Sequence, residues 1–136
     1  MRYLAIDYGM KRTGLAICDK SEMLSSPLEV LATNSELIGK ISKIVTTESV
    51  DAIILGMPIN MDDSRGGQAK IVEGFAKQLE KQITVEIIFQ DERLSSYGAK
   101  DKLAPAEYTR KKKKKRLDAV AAAEILEAFL ESKKTR

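Results

Sequence analysis

Histidine and tryptophan are both absent from this sequence of 136 residues. The absence of histidine excludes serine and cysteine nucleophiles that an imidazole base activates. It also argues against a zinc site, because the single cysteine, Cys18, leaves too few nitrogen and sulfur ligands. If the protein is an enzyme, its chemistry must depend on carboxylates, lysine, tyrosine, hydroxyl groups or a hard metal ion bound by oxygen.

Disulfides and long apolar segments are also missing. One cysteine cannot form an internal disulfide, which is typical of proteins from a reducing compartment. No apolar run approaches the roughly 18 residues that a membrane-spanning helix needs. The segment that precedes Asp7 is too short for a signal peptide. We therefore expect a cytoplasmic protein with no membrane partner, folded as a single domain over residues 1–136.

Basic residues are concentrated in one segment. Without this segment the sequence has 16 basic and 20 acidic residues, so the remainder is mildly acidic although the formal net charge is +3. Adjacent like charges repel one another unless they are neutralised, which favours contact with a polyanion such as nucleic acid over a solvated loop. The segment consists of Arg110, Lys111, Lys112, Lys113, Lys114, Lys115 and Arg116. With only four tyrosines and three phenylalanines, no base-stacking platform is predicted.

The hydrophobic pattern predicts a mixed α/β fold. Apolar runs predict five strands, at residues 2–8, 13–18, 26–31, 52–55 and 85–89. Helical spacing predicts a helix capped by Asn34 or Ser35, and three more over residues 69–82, 96–103 and 117–132, with a loop at 62–67. The opening strands are expected to be antiparallel, whereas the later alternation of strands and helices predicts parallel strands with right-handed crossovers.

Acidic residues follow the ends of two predicted strands and open the final helix. Asp7 ends the first strand, and Asp91 and Glu92 follow the last one. Asp118 begins the final helix beside three alanines, whose small side chains would let the helix lie close to the sheet. Ligands of open α/β sheets bind beyond the carboxyl ends of the strands. Carboxylates gathered there need a cation between them, and two ions such as Mg²⁺ or Mn²⁺ are suited to displacement at phosphorus.

Each acid also has a simpler interpretation. Asp7 could begin a turn. Asp91 or Glu92 could cap a helix or pair with Arg93. Asp118 could be a favourable acid in the first turn of its helix. The shared placement of the acids at strand ends nevertheless favours a metal site over separate explanations.

Basic and hydroxyl residues near these acids are candidates for phosphate contact. Lys11 and Arg12 lie in a predicted turn after the first acid, where they either contact a phosphate or are solvated. Ser64 and Arg65 precede a helix whose free N–H groups could bind an anion, although a helix cap explains them equally well. We assign phosphate contacts to these four residues, to Arg93 and to the basic segment.

Four segments resemble the motifs of one nuclease family. They fall in the order and spacing of the YqgF/RuvX-type family of pre-16S rRNA nucleases and Holliday-junction resolvases, and they cover nearly the whole chain. The segments are Asp7-Tyr8-Gly9-Met10-Lys11-Arg12-Thr13-Gly14-Leu15-Ala16, Gly56-Met57-Pro58 with Asn60-Met61, Asp91-Glu92-Arg93-Leu94-Ser95-Ser96, and Asp118-Ala119-Val120-Ala121-Ala122. One departure is Asp63, where many members have glycine; it affects the backbone of a loop and none of the acids.

The resemblance implies a ribonuclease H-like fold, with helices around a mixed five-stranded sheet whose first three strands are antiparallel and the remainder parallel. It also implies a nuclease that uses Mg²⁺ or Mn²⁺ to hydrolyse structured nucleic acid, with the 5′ end of precursor 16S rRNA as the expected substrate. The metal ligands that it implies are Asp7, Asp118 and one of Asp91 and Glu92, and it does not decide between these last two.

Three other functions remain in competition. A Holliday-junction resolvase uses the same fold and the same acids on DNA. A catalytically silent nucleic-acid-binding module is a second alternative, which the retained acids disfavour. The third is an ATP-binding domain of the actin and sugar-kinase kind, but such proteins close two domains on the nucleotide and 136 residues supply one.

Overall fold

The strands form one mixed sheet of five. The computed structural model describes residues 1–58, 66–92 and 110–134, with side chains for all of these except 110–118. The strands are β1 (Tyr3–Asp7), β2 (Arg12–Cys18), β3 (Ser25–Ala32), β4 (Ala52–Met57) and β5 (Glu86–Asp91), in the spatial order β3-β2-β1-β4-β5. β2 is antiparallel to both β1 and β3, whereas β4 is parallel to both β1 and β5. This is the predicted sheet.

Helices cover both faces of the sheet. Helices α1 (Leu37–Thr47) and α2 (Gly67–Glu80) pack on one face, and α3 (Arg110–Lys134) packs on the other. None of the described helices has the length and apolar character needed to cross a membrane. The predicted helix over residues 96–103 and most of the predicted loop over 62–67 lie outside the described residues.

Strand alternation divides the core into two layers. Successive side chains of a strand point to opposite faces, so β1 contributes Leu4 and Ile6 to the α1/α2 layer and Tyr3 and Ala5 to the α3 layer. The α3 layer contains alanines on both sides of the interface, which lets this helix lie close to the sheet as predicted. These alanines are Ala5, Ala16 and Ala52 of the sheet and Ala122 and Ala123 of the helix.

The basic segment is helical, so the prediction that the final helix begins at Leu117 is wrong. Helix α3 begins at Arg110 and contains the whole segment. Lysine and arginine are good helix formers, and like charges one turn apart cost only about 0.2–0.5 kcal/mol per pair. Asp118 therefore lies about two turns inside α3, and the first turn contains no acidic residue. Its interpretation as a first-turn acid is wrong.

Several other boundaries also differ from the predicted ones: α2 spans Gly67–Glu80 rather than residues 69–82, and β4 extends to Met57. Helix α1 begins at Leu37, because the Asn34 carboxamide accepts a hydrogen bond from the Glu36 N–H and closes a separate turn before the helix. Neither Asn34 nor Ser35 is therefore the N-cap. Strand β5 extends to Asp91, because pairing with β4 continues two residues beyond the apolar run.

Candidate active site

The carboxyl ends of three parallel strands meet at one edge of the sheet. In the register of the sheet, Ile6 of β1 lies beside Leu55 of β4, and Leu55 lies beside Phe89 of β5. The residues that follow at this edge are Asp7 on β1 and Gly56 on β4. The first strand end and the last strand end are thus separated only by β4, as expected for the ligand-binding edge of such a sheet.

Alternation in β5 distinguishes the two neighbouring acids. Asp91 lies beside Met57, whose side chain belongs to the α1/α2 layer. Residues directly opposite each other in paired strands share a face, so Asp91 lies on the α1/α2 side of the sheet. Glu92 follows on the α3 side, which is also the side of Asp7. The structure therefore brings Glu92 and Asp7 together and separates Asp91 from them.

A glycine makes room for this contact. A Cβ atom at Gly56 would lie 3.0 Å from Cγ and 3.2 Å from Oε1 of Glu92, and 2.6 Å from Cδ1 of Ile125 in α3. The Glu92 side chain therefore lies across the bare backbone of β4, beside Ile125. Sequence reasoning did not assign a role to Gly56. The available signal was its position directly after the strand predicted over residues 52–55, although β4 in fact continues through Gly56.

The pair Asp7 and Glu92 is electrostatically unfavourable when both are ionised. Burial raises the pKa of Asp7 from 3.8 to about 9, assisted by a side-chain hydrogen bond with Glu92 and by the negative charge of Glu92. A hydrogen bond between two carboxyl groups requires one proton. The two carboxyl groups at this end of the sheet are therefore so close together that the pair retains one proton when no cation is bound.

The composition of the pair fits a hard divalent cation. Asp7 and Glu92 offer only oxygen donors, which are the ligands preferred by Mg²⁺ and Mn²⁺. Among the side chains that the structure describes, no cluster of three metal-ligating residues occurs. The remaining predicted ligand, Asp118, lies on the backbone of α3, but its side chain is outside the described part of the chain.

The predicted phosphate contacts are placed only in part. Lys11 is exposed in the turn that joins β1 to β2, at the edge that carries Asp7, whereas Arg12 is partly buried and is the first residue of β2 rather than part of the turn. Ser64, Arg65 and Arg93 lie outside the described residues. The basic segment forms the first two turns of α3, and its side chains are likewise outside the described part.

Comparison with known sequences gives consistent similarities over nearly the full length. Residues 1–132 match the family RuvX, which is described as Holliday junction resolvase. A protein of Geobacillus kaustophilus (strain HTA426), named "Putative pre-16S rRNA nuclease", is 35% identical over 138 residues, covering 98% of this chain and 100% of the relative. A protein of Maridesulfovibrio salexigens with the same name is 37% identical over 132 residues, covering 96% of this chain and 98% of the relative.

Solved structures with low sequence identity share the fold. RuvC of T. thermophilus, solved with a Holliday junction substrate, aligns with a TM-score of 0.55 at 15% identity, over 99% of this chain and 98% of that chain. The fowlpox virus resolvase, solved with Holliday junction DNA, aligns with a TM-score of 0.57 at 16% identity, over 97% of this chain and 98% of that chain. These neighbours confirm the predicted ribonuclease H-like fold.

Proposed function

Because this chain belongs to the RuvX family, a family of nucleases, we propose that it hydrolyses phosphodiester bonds in structured nucleic acid with the help of Mg²⁺ or Mn²⁺. Its proposed natural substrate is the 5′ end of precursor 16S rRNA, in agreement with the names of relatives that are 35% and 37% identical to it. The proposed site is built from Asp7, Glu92 and Asp118.

The observation that carries this proposal is the contact between Asp7 and Glu92. Two carboxyl groups come together from the ends of β1 and β5, with the pKa of Asp7 raised to about 9. Holding two carboxyl groups this close together costs stability unless a cation neutralises them. The arrangement is therefore expected at a functional site rather than at a contact that only stabilises the fold. A simple cap or turn role does not require either side chain to approach the other.

Helix α3 provides the third proposed ligand. Asp118 precedes Ala122 by four residues and Ile125 by seven, a spacing that places residues on one face of a helix. Ala122 and Ile125 are both fully buried against the sheet, and Ile125 lies beside Gly56 and Glu92. This face of α3 leads towards the carboxyl pair, which supports Asp118 as its partner.

In the proposed mechanism, Asp7, Glu92 and Asp118 would hold the cation, and Lys11 and the basic segment would orient the phosphate. A bound Mg²⁺ or Mn²⁺ would supply a positive charge that polarises the scissile phosphate and lowers the pKa of an attacking water. The carboxylates would serve only as ligands, and no residue of the protein would become covalently attached to the substrate. The partly buried surroundings of Asp7 keep the local dielectric low, which strengthens each electrostatic contact.

Holliday-junction cleavage is the second candidate function. The family description names this activity, and two structural neighbours were solved with junction DNA. Both functions would use the same carboxylates, since the two reactions break the same kind of bond. They differ only in whether RNA or DNA fits the surface around the site.

Site-directed variants test both the site and the substrate. Purified wild type should cut a precursor 16S rRNA leader faster than a four-way DNA junction of matched length when Mg²⁺ or Mn²⁺ is present. Asp7→Asn, Glu92→Gln and Asp118→Asn should each reduce kcat/KM at least about a hundredfold, which corresponds to about 2.7 kcal/mol of transition-state stabilisation. Asp91→Asn is the matched control, because Asp91 lies on the other side of the sheet.

Metal binding gives a second readout that does not depend on cleavage. In calorimetry, Mn²⁺ should bind wild type and Asp91→Asn with release of a proton, because the cation replaces the proton that the pair retains. Asp7→Asn and Glu92→Gln should bind Mn²⁺ more weakly. Equal loss of activity in Asp91→Asn and Glu92→Gln would refute the assignment of Glu92, and faster cutting of the junction would favour the resolvase function.

A further inference from the structure

The turn between β1 and β2 is fastened to the end of β3. It comprises residues 8–11, directly after the strand that carries Asp7. The Thr33 hydroxyl donates a hydrogen bond of 2.7 Å to the Gly9 carbonyl oxygen, and the Thr33 N–H donates one of 3.0 Å to the Lys11 carbonyl oxygen. A single residue beyond β3 thus holds two carbonyl groups of the turn.

A buried hydroxyl orients Thr33. The Oγ1 atoms of Thr13 and Thr33 are 2.8 Å apart. Because the single hydroxyl proton of Thr33 is directed to Gly9, the proton in this second bond comes from Thr13. Thr13 is fully buried, and no other serine, threonine, amide or charged side chain is buried among the described residues. Two consecutive hydrogen bonds therefore connect the buried part of β2 to the turn.

Stability alone does not require the Thr13 hydroxyl. Valine has nearly the same shape, suits a strand equally well and buries no polar group. A hydrogen bond contributes only about 0.5–1.5 kcal/mol net, so replacing both partners with apolar groups of the same shape is close to neutral. The pair of hydroxyl groups is therefore better explained by the turn conformation that it fixes than by the stability that it adds.

The turn itself is tightly closed. A Cβ atom at Gly9 would lie 2.3 Å from the carbonyl oxygen of Arg12, so only glycine fits at this position. The closed turn exposes Met10 and Lys11 to solvent. The Lys11 backbone is thus held in one position at the edge of the sheet that carries Asp7.

We propose that Thr33, oriented by Thr13, is a positioning residue that fixes the turn so that Lys11 meets a substrate phosphate beside the carboxyl pair. This inference rests on the proposed nuclease function and adds to it how the substrate is aligned. Thr33 acts through the backbone of the turn and does not touch the substrate. Its effect is on substrate binding, because alignment of a phosphate by a fixed charge contributes affinity before the bond is broken.

The variants are chosen to separate positioning from folding. The double variant Thr13→Val/Thr33→Val removes both hydroxyl groups and leaves no buried donor without a partner. Thr33→Ser retains the hydroxyl and should rescue the function. Thr46→Val is the matched control, because the Thr46 hydroxyl also donates to a backbone carbonyl, that of Ser42 in α1, outside the turn.

Cleavage of the RNA leader at several salt concentrations, with hydrogen exchange of the residue-33 amide, tests the proposal. The double variant should raise KM about tenfold and change kcat less than about threefold. Its slope of log affinity against log salt should be shallower by about 0.7–0.9, the contribution of one phosphate contact. The residue-33 amide should exchange faster, whereas Thr33→Ser and Thr46→Val should remain within about twofold of wild type in KM.

Each outcome decides the proposal. A double variant with wild-type KM, salt slope and amide exchange, measured against a wild type that binds and cuts nucleic acid, would overturn this inference alone. A fall in kcat with unchanged KM would also overturn it, because Thr33 would then affect the chemical step. A wild type that neither binds nor cuts nucleic acid would overturn the proposed function and this inference with it.

Discussion

At the scale of single residues, the ionisation of Asp7 links the candidate site to the stability of the protein. Its pKa is raised from 3.8 to about 9 by burial and by Glu92. The folded, metal-free protein therefore holds the Asp7 proton more tightly than the unfolded chain does. The resulting contribution to stability is fully present below about pH 4 and is lost as the pH rises through about 9.

Asp7→Asn should remove this pH dependence. An amide stays neutral and can donate to Glu92, so the metal-free variant should be more stable than wild type by about 1–3 kcal/mol at pH 8 and by less at pH 5. Urea unfolding in the presence of a chelator, from pH 5 to pH 9, measures the difference. Parallel stability curves for the two proteins would show that Asp7 does not carry the proton.

Asp19→Asn provides a control of opposite sign. Hydrogen bonds from the Ser21 hydroxyl and from the Leu24 and Met23 N–H groups lower the pKa of Asp19. Its contribution to stability is therefore present above its normal pKa and is lost as the pH falls. Asp19→Asn should be less stable than wild type, by a difference that is constant at neutral pH and shrinks only as the pH falls below the normal pKa value of 3.8. Asp7→Asn should instead be more stable than wild type, by a difference that shrinks as the pH falls from 8 to 5.

At the scale of elements, β4, β5 and α3 meet at Gly56. Gly56→Ala would place a methyl group 2.6 Å from Cδ1 of Ile125 and 3.0 Å from Cγ of Glu92. Such overpacking should cost about 1–3 kcal/mol of stability. Activity should fall at least about tenfold, because a displacement of the order of 1 Å at a catalytic group costs up to about a hundredfold in rate.

A second substitution separates the two effects. Ile125→Val removes Cδ1, so Gly56→Ala/Ile125→Val should recover part of the stability while the clash with Glu92 keeps the activity low. Gly74→Ala in α2 is the control, because a methyl group there meets no atom within 4 Å and should leave activity unchanged. Urea unfolding and kcat/KM measure both quantities. Full activity in Gly56→Ala would show that Glu92 is not held at this position during the reaction.

Local sequence signals predicted the elements well, but they could not predict the pairing of the two acids. Apolar runs and their periodicity placed all five strands within about two residues, since burial on a sheet face determines them. Whether Asp91 or Glu92 meets Asp7 depends on which face of the sheet each side chain points to, and the pairing register of β5 with β4 determines this. A shift of one residue exchanges the two faces, and the two adjacent acids carry no signal for this register.

The roles of Gly56 and Thr33 likewise could not be predicted from local sequence signals alone. Both depend on contacts between segments far apart in the chain, Gly56 with Glu92 and Ile125, and Thr33 with Gly9. The start of α3 was mispredicted for a different reason. The basic run was placed before the helix because its like charges repel one another, whereas intrinsic helix propensity and continuity with the packed helix outweigh the repulsion between neighbouring lysines.

At the scale of the whole molecule, the distribution of charge separates two tasks. The basic segment is the start of α3, and the remainder of the chain has 16 basic and 20 acidic residues. Asp118 follows the segment within the same helix, so a strand of nucleic acid that met the segment would be brought towards the proposed ligands. A mildly acidic remainder would disfavour binding of phosphate elsewhere on the surface.

The basic segment should therefore contribute affinity and association rate, and very little to the chemical step. A helix spreads seven consecutive residues around its axis, so about three of them can meet one nucleic acid strand, which contributes roughly −2 to the slope of log K against log salt. Replacing Lys111 through Lys115 with glutamine keeps the helix propensity high and should reduce that slope. The maximal rate at saturating substrate should change less than about twofold, because the proposed metal ligands are untouched.

Binding titrations of wild type and this variant from low to high salt measure the slope, and lysine-to-glutamine changes at Lys40 and Lys43 of α1 serve as the control. Identical slopes for wild type and the five-residue variant would show that the basic segment does not contact the substrate.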